Sequence, residues 1–187
     1  LAKIIDVPPE EVVWRCGGIN HMAWMTELSW KGKDLYPILI EAMKDKKIYK
    51  TDPIRFEIMK HFGYFVTESS GHFSEYVPYF RKRKDLIKKF CRERYLGESG
   101  FYSRNWPKWR KKTDKVRRNM ADGKRSISLK RSIEFAADII EAHLFDKRKI
   151  IYASVANTGL ITNLPQTGVV EVAVVVDKRG FTPCYFG

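Results

Sequence analysis

The sequence has few cysteines and no long hydrophobic run. Its three cysteines, Cys16, Cys91 and Cys184, are widely spaced and odd in number, which excludes a disulfide framework and a CxxC metal knuckle. No stretch approaches the roughly 18 consecutive apolar residues of a transmembrane helix. The first nine residues lack the basic region and apolar run of a signal peptide. We therefore expect a cytoplasmic protein with reduced thiols and no membrane contact.

The sequence also lacks a glycine-rich nucleotide loop. No GxGxxG motif follows a predicted strand, so this chain is not expected to bind a dinucleotide by itself. The chain begins at Leu1 rather than at methionine and ends in the aromatic run Tyr185-Phe186-Gly187, so we expect it to belong to a longer protein. Its 187 residues, 44% hydrophobic and 13% aromatic, are enough for one domain over residues 1–187 with its own core.

The excess of positive charge is confined to one segment. Residues 81–125 contain 18 Lys and Arg against 5 Asp and Glu, a net +13 that equals the formal charge of the whole chain. Trp106 and Trp109 lie in the same segment, and basic surfaces with aromatic residues can bind single-stranded nucleic acid. A solvent-exposed face of basic helices over 81–130 is the commoner explanation of such a charge run.

Hydrophobic spacing predicts an α+β fold of mixed helices and antiparallel strands, without a regular βαβ rhythm. Asp34 and Asp52 are predicted to cap helices, with Pro53 at a first helical position and Gly63 ending that helix. The predicted strands cover 12–16, 22–30, 64–67, 150–155 and 169–176, with turns at 17–18, 31–32 and 178–180. The predicted helices cover 35–45, 53–62, 72–80 and 131–145, with further helical spacing in the basic segment.

Three blocks of the sequence resemble glycoside hydrolase family 4, and most of all its α-galactosidase and α-glucosidase branch. They cover most of 12–80 and 131–183, whereas 81–130 matches only loosely. The blocks are Arg15–Trp24, which includes Gly18-Ile19-Asn20-His21; Arg55–Tyr76, which includes Thr67-Glu68-Ser69-Ser70-Gly71-His72; and Asn157–Pro165, followed by Val170-Glu171-Val172.

This resemblance implies the substrate and metal domain of an NAD- and Mn²⁺-dependent glycosidase, with a fold like the C-terminal domain of lactate and malate dehydrogenases. Family 4 enzymes do not use the usual pair of carboxylates. The resemblance implies instead that NAD oxidises C3 of the sugar and that a base then removes the C2 proton while Mn²⁺ stabilises the enolate. Elimination of the aglycone, addition of water and return of the hydride complete hydrolysis. The implied substrate is an α-galactoside or an α-glucoside.

His21 is the candidate metal ligand, since the histidine of the Gly-Ile-Asn-His block binds manganese in the family, together with a cysteine upstream. Imidazole suits first-row divalent metals. Asn20, beside His21, is a candidate for positioning sugar hydroxyls or the metal shell, with a turn role as the alternative. We do not assign Cys16 to the metal, because its position predicts a buried strand thiol.

Asp52 is a tentative catalytic base, because it precedes the helix that corresponds to the family's base-bearing region. The alternative is a helix N-cap, a common role for an aspartate before proline. Arg55 could bind substrate oxygens, and a surface charge on the helix is the alternative.

Three further residues are candidates for substrate binding. His72 has Glu68 one turn before it and Glu75 three residues after it, a pattern equally typical of a helix-surface pair. Asn157 and Asn163 lie in a loop after a strand and either contact substrate or form turns.

Two other functions stay open at this point. A nucleic-acid-binding module could use residues 81–125, although no base-contacting motif accompanies the charge. The substrate domain of a hydroxy-acid dehydrogenase would have a related fold but lacks the Asn-His block. We also expect a homo-oligomer, since the apolar strand 169–176 suggests surface that another domain or subunit covers.

Overall fold

The computed structural model describes residues 4–92, 94–131 and 134–187 and contains one antiparallel sheet. Within these residues the sheet has seven strands in the order β3-β2-β1-β6-β5, with β4 pairing to β2 and β7 to β6. The strands are β1 (Val12–Ile19), β2 (Met22–Trp30), β3 (Lys33–Asp34), β4 (Phe65–Val66), β5 (Lys149–Ala156), β6 (Val169–Asp177) and β7 (Gly180–Pro183). The strand β7 was not predicted from the sequence.

Helices follow the strands without a βαβ rhythm, which confirms the predicted α+β class. They are α1 (Tyr36–Ala42), α2 (Lys46–Tyr49), α3 (Pro53–Phe62), α4 (Ser70–Tyr76), α5 (Lys84–Phe90), α6 (Phe101–Ala121) and α7 (Ala136–Phe145), with 3-10 turns at Pro9–Glu11 and Arg94–Leu96. The predicted helices 35–45, 72–80 and 131–145 are therefore shorter than expected. Residues 132 and 133, at the start of the last one, lie outside the described residues.

The predicted turn at Gly17-Gly18 is wrong, because β1 continues through both glycines to Ile19 and turns at Asn20 and His21. The glycines serve close packing instead of chain reversal. A Cβ on Gly17 would lie 2.7 Å from the ring of Phe186, and one on Gly18 would lie 2.9 Å from the Cα of Ala23. The extended hairpin moves the turn, and His21 with it, to the end of the sheet.

Gly17→Ala is expected to lower the free energy of unfolding by about 1–3 kcal/mol, because the new methyl group overpacks against Phe186. Urea denaturation measures this change. In a Phe186→Ala background the same substitution should cost much less, since the ring is gone. An equal cost in both backgrounds would show that another contact is responsible.

Asp52 occupies the N-cap position of α3, but its side chain makes no capping hydrogen bond. The Ser70 hydroxyl accepts from the amides of Ile54 and Arg55 at 3.2 and 3.3 Å and so caps α3 from the start of α4. The prediction that the Asp52 side chain caps the helix is therefore wrong, because that carboxylate is bonded to Ser70 and Arg55 instead.

The other end of α3 and the start of α1 follow the predicted pattern. Gly63 ends α3 in the left-handed region (φ 82°), where its amide donates to the Met59 carbonyl at 2.8 Å. Asp34 accepts a hydrogen bond from the Tyr36 amide at 3.0 Å, although Leu35 takes the cap position of α1.

Three apolar clusters hold the elements together and fix α3 and α4 against the sheet. The first joins β2, β4, α1 and α3, the second joins α3 and α4 with α5, and the third joins β5 and β6 with α7. Their central residues include Leu39, Phe56 and Phe65; Ile58, Val66 and Phe73; and Val170, Val172 and Val174.

The basic segment forms α5 and α6, and α6 has no buried residue. Trp109 contacts the rings of Tyr95, Phe101 and Tyr102, whereas Trp106 is exposed. This arrangement is the solvent-exposed basic helix favoured from the sequence.

The outer side of α7 is apolar and exposed. Ile140, Leu144 and Phe145 are 58%, 67% and 66% exposed. An apolar face of this kind is typical of a contact surface, and self-association of the chain stays a prediction. Among the described residues, no helix is both long and apolar enough to cross a bilayer.

Candidate metal and substrate site

The β1–β2 turn and the start of α4 bring two histidines and a glutamate together. His21 stands on the turn, at the end of a hairpin whose second strand pairs with β4. Glu68 follows β4, and His72 lies one helical turn later on α4. Pairing of β2 with β4 is thus what carries Glu68 to His21 across 47 residues of sequence.

The three side chains form a compact set of donor atoms. His21 Nδ1 lies 2.5 Å from Glu68 Oε2, and His72 Nδ1 lies 3.6 Å from Glu68 Oε1. One potential ligand atom from each residue lies within 4.8 Å of the others. The side chains of His21, Glu68 and His72 are 36%, 20% and 42% exposed, so a ligand can reach them.

Aromatic rings border this set. Tyr76 stacks on His21 with ring centroids 4.7 Å apart at 14°, and His21 and His72 meet edge-on at 5.3 Å. Tyr102 of α6 lies over His72 at 6.2 Å. The first turn of the basic helix α6 therefore contributes the Tyr102 ring to the site.

Charge within the site is shared between two carboxyl groups. Burial favours the neutral form of Glu68, but hydrogen bonds from His21 and from the Ser69 amide outweigh it and hold the Glu68 pKa below its usual range. Burial raises the pKa of Glu171, while His21 counteracts this shift and the charge of Glu68 adds to it. Glu171 is thus within electrostatic range of His21 and Glu68.

Glu171 is a further acidic residue near this cluster, and the sequence analysis did not single it out. On β6 it pairs with Gly18 of β1 and with Ser154 of β5, two small residues that leave space around its side chain. Within residues 4–92, 94–131 and 134–187, nothing donates a hydrogen bond to its half-buried carboxyl group. The available signal was an acidic residue in the otherwise apolar run 169–176.

Asn20 and Asn163 both lie where a ligand could contact them. Asn20 is exposed beside His21. Asn163 lines an apolar cavity of about 400 Å³ that also includes Ile19, Met22 and Trp24. His21 does not line this cavity, but its neighbours in the chain, Ile19 and Met22, do. The cavity therefore lies next to the metal-ligand candidates.

Asn157 is fully buried, at 0% exposure. Its amide donates to the carbonyls of Ile161, Leu164 and Pro165, and its oxygen accepts from the Ile161 amide at 3.0 Å. A side chain without exposed surface has no atom left for a sugar. The structure therefore favours the turn-forming alternative for Asn157.

Asp52 and Arg55 form a separate, part-buried network. Asp52 accepts from the Ser70 hydroxyl and lies 3.0 Å from an Arg55 guanidinium nitrogen. Arg55 donates to the Val66 carbonyl at 2.6 and 3.0 Å, and its guanidinium lies 4.2 Å from the Phe65 ring centroid. These contacts indicate a structural role for both residues. Arg55 is not a surface charge, and the geometry does not support Asp52 as a base.

Cys16 is a buried strand thiol, as predicted. It is 1% exposed, and burial together with the charge of Glu171 raises its pKa to about 12. Cys16 is also not among the residues His21, Glu68 and His72, whose donor atoms lie together.

Sequence comparison relates this chain to one family over nearly its whole length. A model of the family 4 glycosyl hydrolase C-terminal domain matches residues 16–187. An alpha-galactosidase of Bacillus subtilis (strain 168) is 40% identical over 190 residues, which cover 100% of this chain and 43% of that protein. The chain therefore spans less than half the length of this relative.

Solved structures share the fold. A Bacillus subtilis protein described as a glucosidase matches with a TM-score of 0.76 at 20% identity, over 98% of this chain and 46% of that one. A 6-phospho-alpha-glucosidase from gut microorganisms, solved with NAD and Mn²⁺, matches with a TM-score of 0.63 at 18% identity, over 100% of this chain and 44% of that one. These matches confirm the expected fold, that of the lactate-dehydrogenase-like C-terminal domain.

Proposed function

We propose, from the premise that this chain belongs to the family 4 glycosyl hydrolases, that it forms the substrate and metal half of an α-galactosidase. The whole enzyme would then join this chain to a separate cofactor-binding part. The 40% identity to an alpha-galactosidase favours galactosides over glucosides. The same identity favours a glycosidase over the substrate domain of a hydroxy-acid dehydrogenase.

The observation that carries this proposal is the position of His21. The Gly-Ile-Asn-His block places it on an accessible turn, and the fold brings Glu68 and His72 to it. A cluster of imidazole and carboxylate groups at the end of a sheet suits a ligand site better than a packing role, because all three side chains keep exposed surface.

The donor set fits a first-row divalent cation such as Mn²⁺. Imidazole and carboxylate are both ligands for such ions, and a carboxylate on the second ring nitrogen is the common support for a ligating histidine. His21 would hold the cation, with His72 beside it and Glu68 supporting the ring. Cys16 is not part of this donor set and is only 1% exposed.

NAD would bind mainly outside this chain, since the sequence contains no glycine-rich phosphate loop. The chemistry that NAD and Mn²⁺ supply when bound is hydride exchange at a sugar carbon and stabilisation of enolate charge. This half of the enzyme would present the sugar to that cofactor.

The residues of this chain would bind and orient the sugar. His72 and Glu171 border the site with groups that can hydrogen-bond to hydroxyls, and Asn20 is exposed next to His21. Asn163 and the apolar cavity offer a surface for the leaving group, where apolar walls exclude water. The catalytic base is then to be sought around His21 and not at Asp52.

The proposal predicts that full-length enzyme supplied with NAD and Mn²⁺ hydrolyses p-nitrophenyl α-galactoside, whereas the 187-residue chain alone does not. The isolated chain lacks a nucleotide loop, so it has no hydride acceptor. Release of p-nitrophenol measures both activities.

Two substrates separate the parts of this proposal. Faster turnover of the α-glucoside than of the α-galactoside would contradict the substrate assignment alone. Turnover by the isolated chain, or by full-length enzyme without NAD and with chelator, would contradict the proposed chemistry.

A further inference from the structure

We propose that Glu68 is the positioning residue of this site: its carboxylate fixes the His21 ring so that Nε2 faces the divalent cation. This inference rests on the proposed function, because it assigns a role to a residue that supports the metal ligand. Glu68 itself need not contact the metal or the sugar for this role.

The contact between Glu68 and His21 determines which ring nitrogen is free. Glu68 Oε2 lies 2.5 Å from His21 Nδ1, and an ionised carboxylate can only accept a hydrogen bond. Nδ1 must therefore carry the proton, which leaves the lone pair of a neutral imidazole on Nε2. In the described part of the chain, Nε2 of His21 has no hydrogen-bond partner of its own.

Glu68 is itself held in place. Its second oxygen, Oε1, accepts the Ser69 amide at 2.7 Å and lies 3.6 Å from His72 Nδ1. The latter distance is too long for a hydrogen bond, so His72 feels the charge of Glu68 without being locked by it. One carboxylate thus fixes His21 firmly and His72 loosely.

Tyr76 completes the support from the other direction. Its ring lies parallel to His21 at 4.7 Å, so the imidazole is restrained at its face as well as at its edge. A ring held in two directions loses little rotational freedom when it binds a ligand, which favours affinity.

The chain contains a second histidine–glutamate pair that serves as a control. His61 and Glu57 lie four residues apart on α3, with Nε2 and Oε1 separated by 3.3 Å. That pair is local to one helix and its histidine is 62% exposed. Glu57→Gln therefore removes the charge of a similar pair away from the site, and its amide oxygen can still accept the Tyr49 hydroxyl, which lies 2.8 Å from Glu57 Oε2.

The test measures Mn²⁺ affinity and the protonated nitrogen of His21 in full-length protein. Electron paramagnetic resonance of free Mn²⁺ should show binding weakened about 10–100-fold in Glu68→Gln and unchanged in Glu57→Gln. The ¹⁵N shifts of the metal-free His21 ring should show Nδ1–H in the wild type and a mixture of tautomers in Glu68→Gln, since an amide can donate as well as accept.

The two measurements keep this inference separate from the proposed function. Unchanged Mn²⁺ affinity together with an unchanged His21 tautomer in Glu68→Gln would overturn the role of Glu68. If the wild type binds no Mn²⁺, the proposed metal site fails, and the tautomer measurement still decides whether Glu68 orients His21. If Glu68→Gln does not fold, Glu68→Asp is used instead. It keeps a carboxylate but holds it one methylene further from His21, so its Mn²⁺ affinity is also expected to fall.

Discussion

His21→Ala is expected to lower kcat of the full-length enzyme by about a thousandfold or more while the protein stays folded. A metal ion that stabilises developing charge contributes several kcal/mol, and each 1.4 kcal/mol corresponds to about a factor of ten in rate. Loss of the ligand removes this contribution. The comparison is of kcat for p-nitrophenyl α-galactoside hydrolysis between variant and wild type.

The fold should tolerate this substitution, because His21 is on a turn and its side chain is 36% exposed. Circular dichroism should show an unchanged spectrum, and thermal unfolding should show at most a small shift from the loss of the Glu68 contact. His61→Ala, which removes an exposed histidine from α3, is the matched control and should keep full activity. Full activity of His21→Ala would remove the basis of the metal assignment.

The metal-ligand candidate could be predicted from sequence, but most of its support could not. His21 belongs to a contiguous block that carries the family resemblance. Its partner Glu68 comes from the pairing of β2 with β4, and the pairing of residues as far apart in sequence as Trp24 and Val66 leaves no local pattern. The sequence analysis considered Glu68 only as a helical neighbour of His72. Its contact with His72 is the weaker of its two histidine contacts, because Glu68 lies closer to His21.

The Gly17-Gly18 pair illustrates why local patterns mislead. Glycine is typical of turns and equally of places where another group comes close to the backbone. The deciding neighbour of Gly17 is Phe186, near the other end of the chain. The sequence therefore predicted the hairpin and its two strands but placed the turn three residues too early.

Polar residues gave the least reliable predictions, because sequence does not distinguish an exposed polar side chain from a buried one that is fully bonded. Asn157 and Arg55 were both candidates for substrate contact. The structure places Asn157 inside a loop and Arg55 between α3 and β4, each with partners in the chain. Burial and hydrogen-bond geometry, which only the fold provides, decide such cases.

Arg55→Met is expected to lower the free energy of unfolding by about 3–5 kcal/mol, because it leaves the largely enclosed Asp52 carboxylate without its cation. The side chains of Arg55 and Asp52 are only 16% and 19% exposed. The substitution also removes the hydrogen bonds to the Val66 carbonyl, which tie α3 to β4 next to Glu68. Chemical denaturation followed by circular dichroism measures this loss.

Arg83→Met is the control for this prediction. Arg83 and Asp85 also form an ion pair, but their side chains are 67% and 65% exposed, so water replaces the lost contact and stability should not change measurably. The alternative role of Arg55 in binding substrate predicts the opposite pattern: wild-type stability with a raised KM for the α-galactoside. A stable Arg55→Met enzyme with a raised KM would show that Arg55 binds substrate. A destabilised enzyme would show instead that Arg55 supports the part of the fold that brings Glu68 to His21.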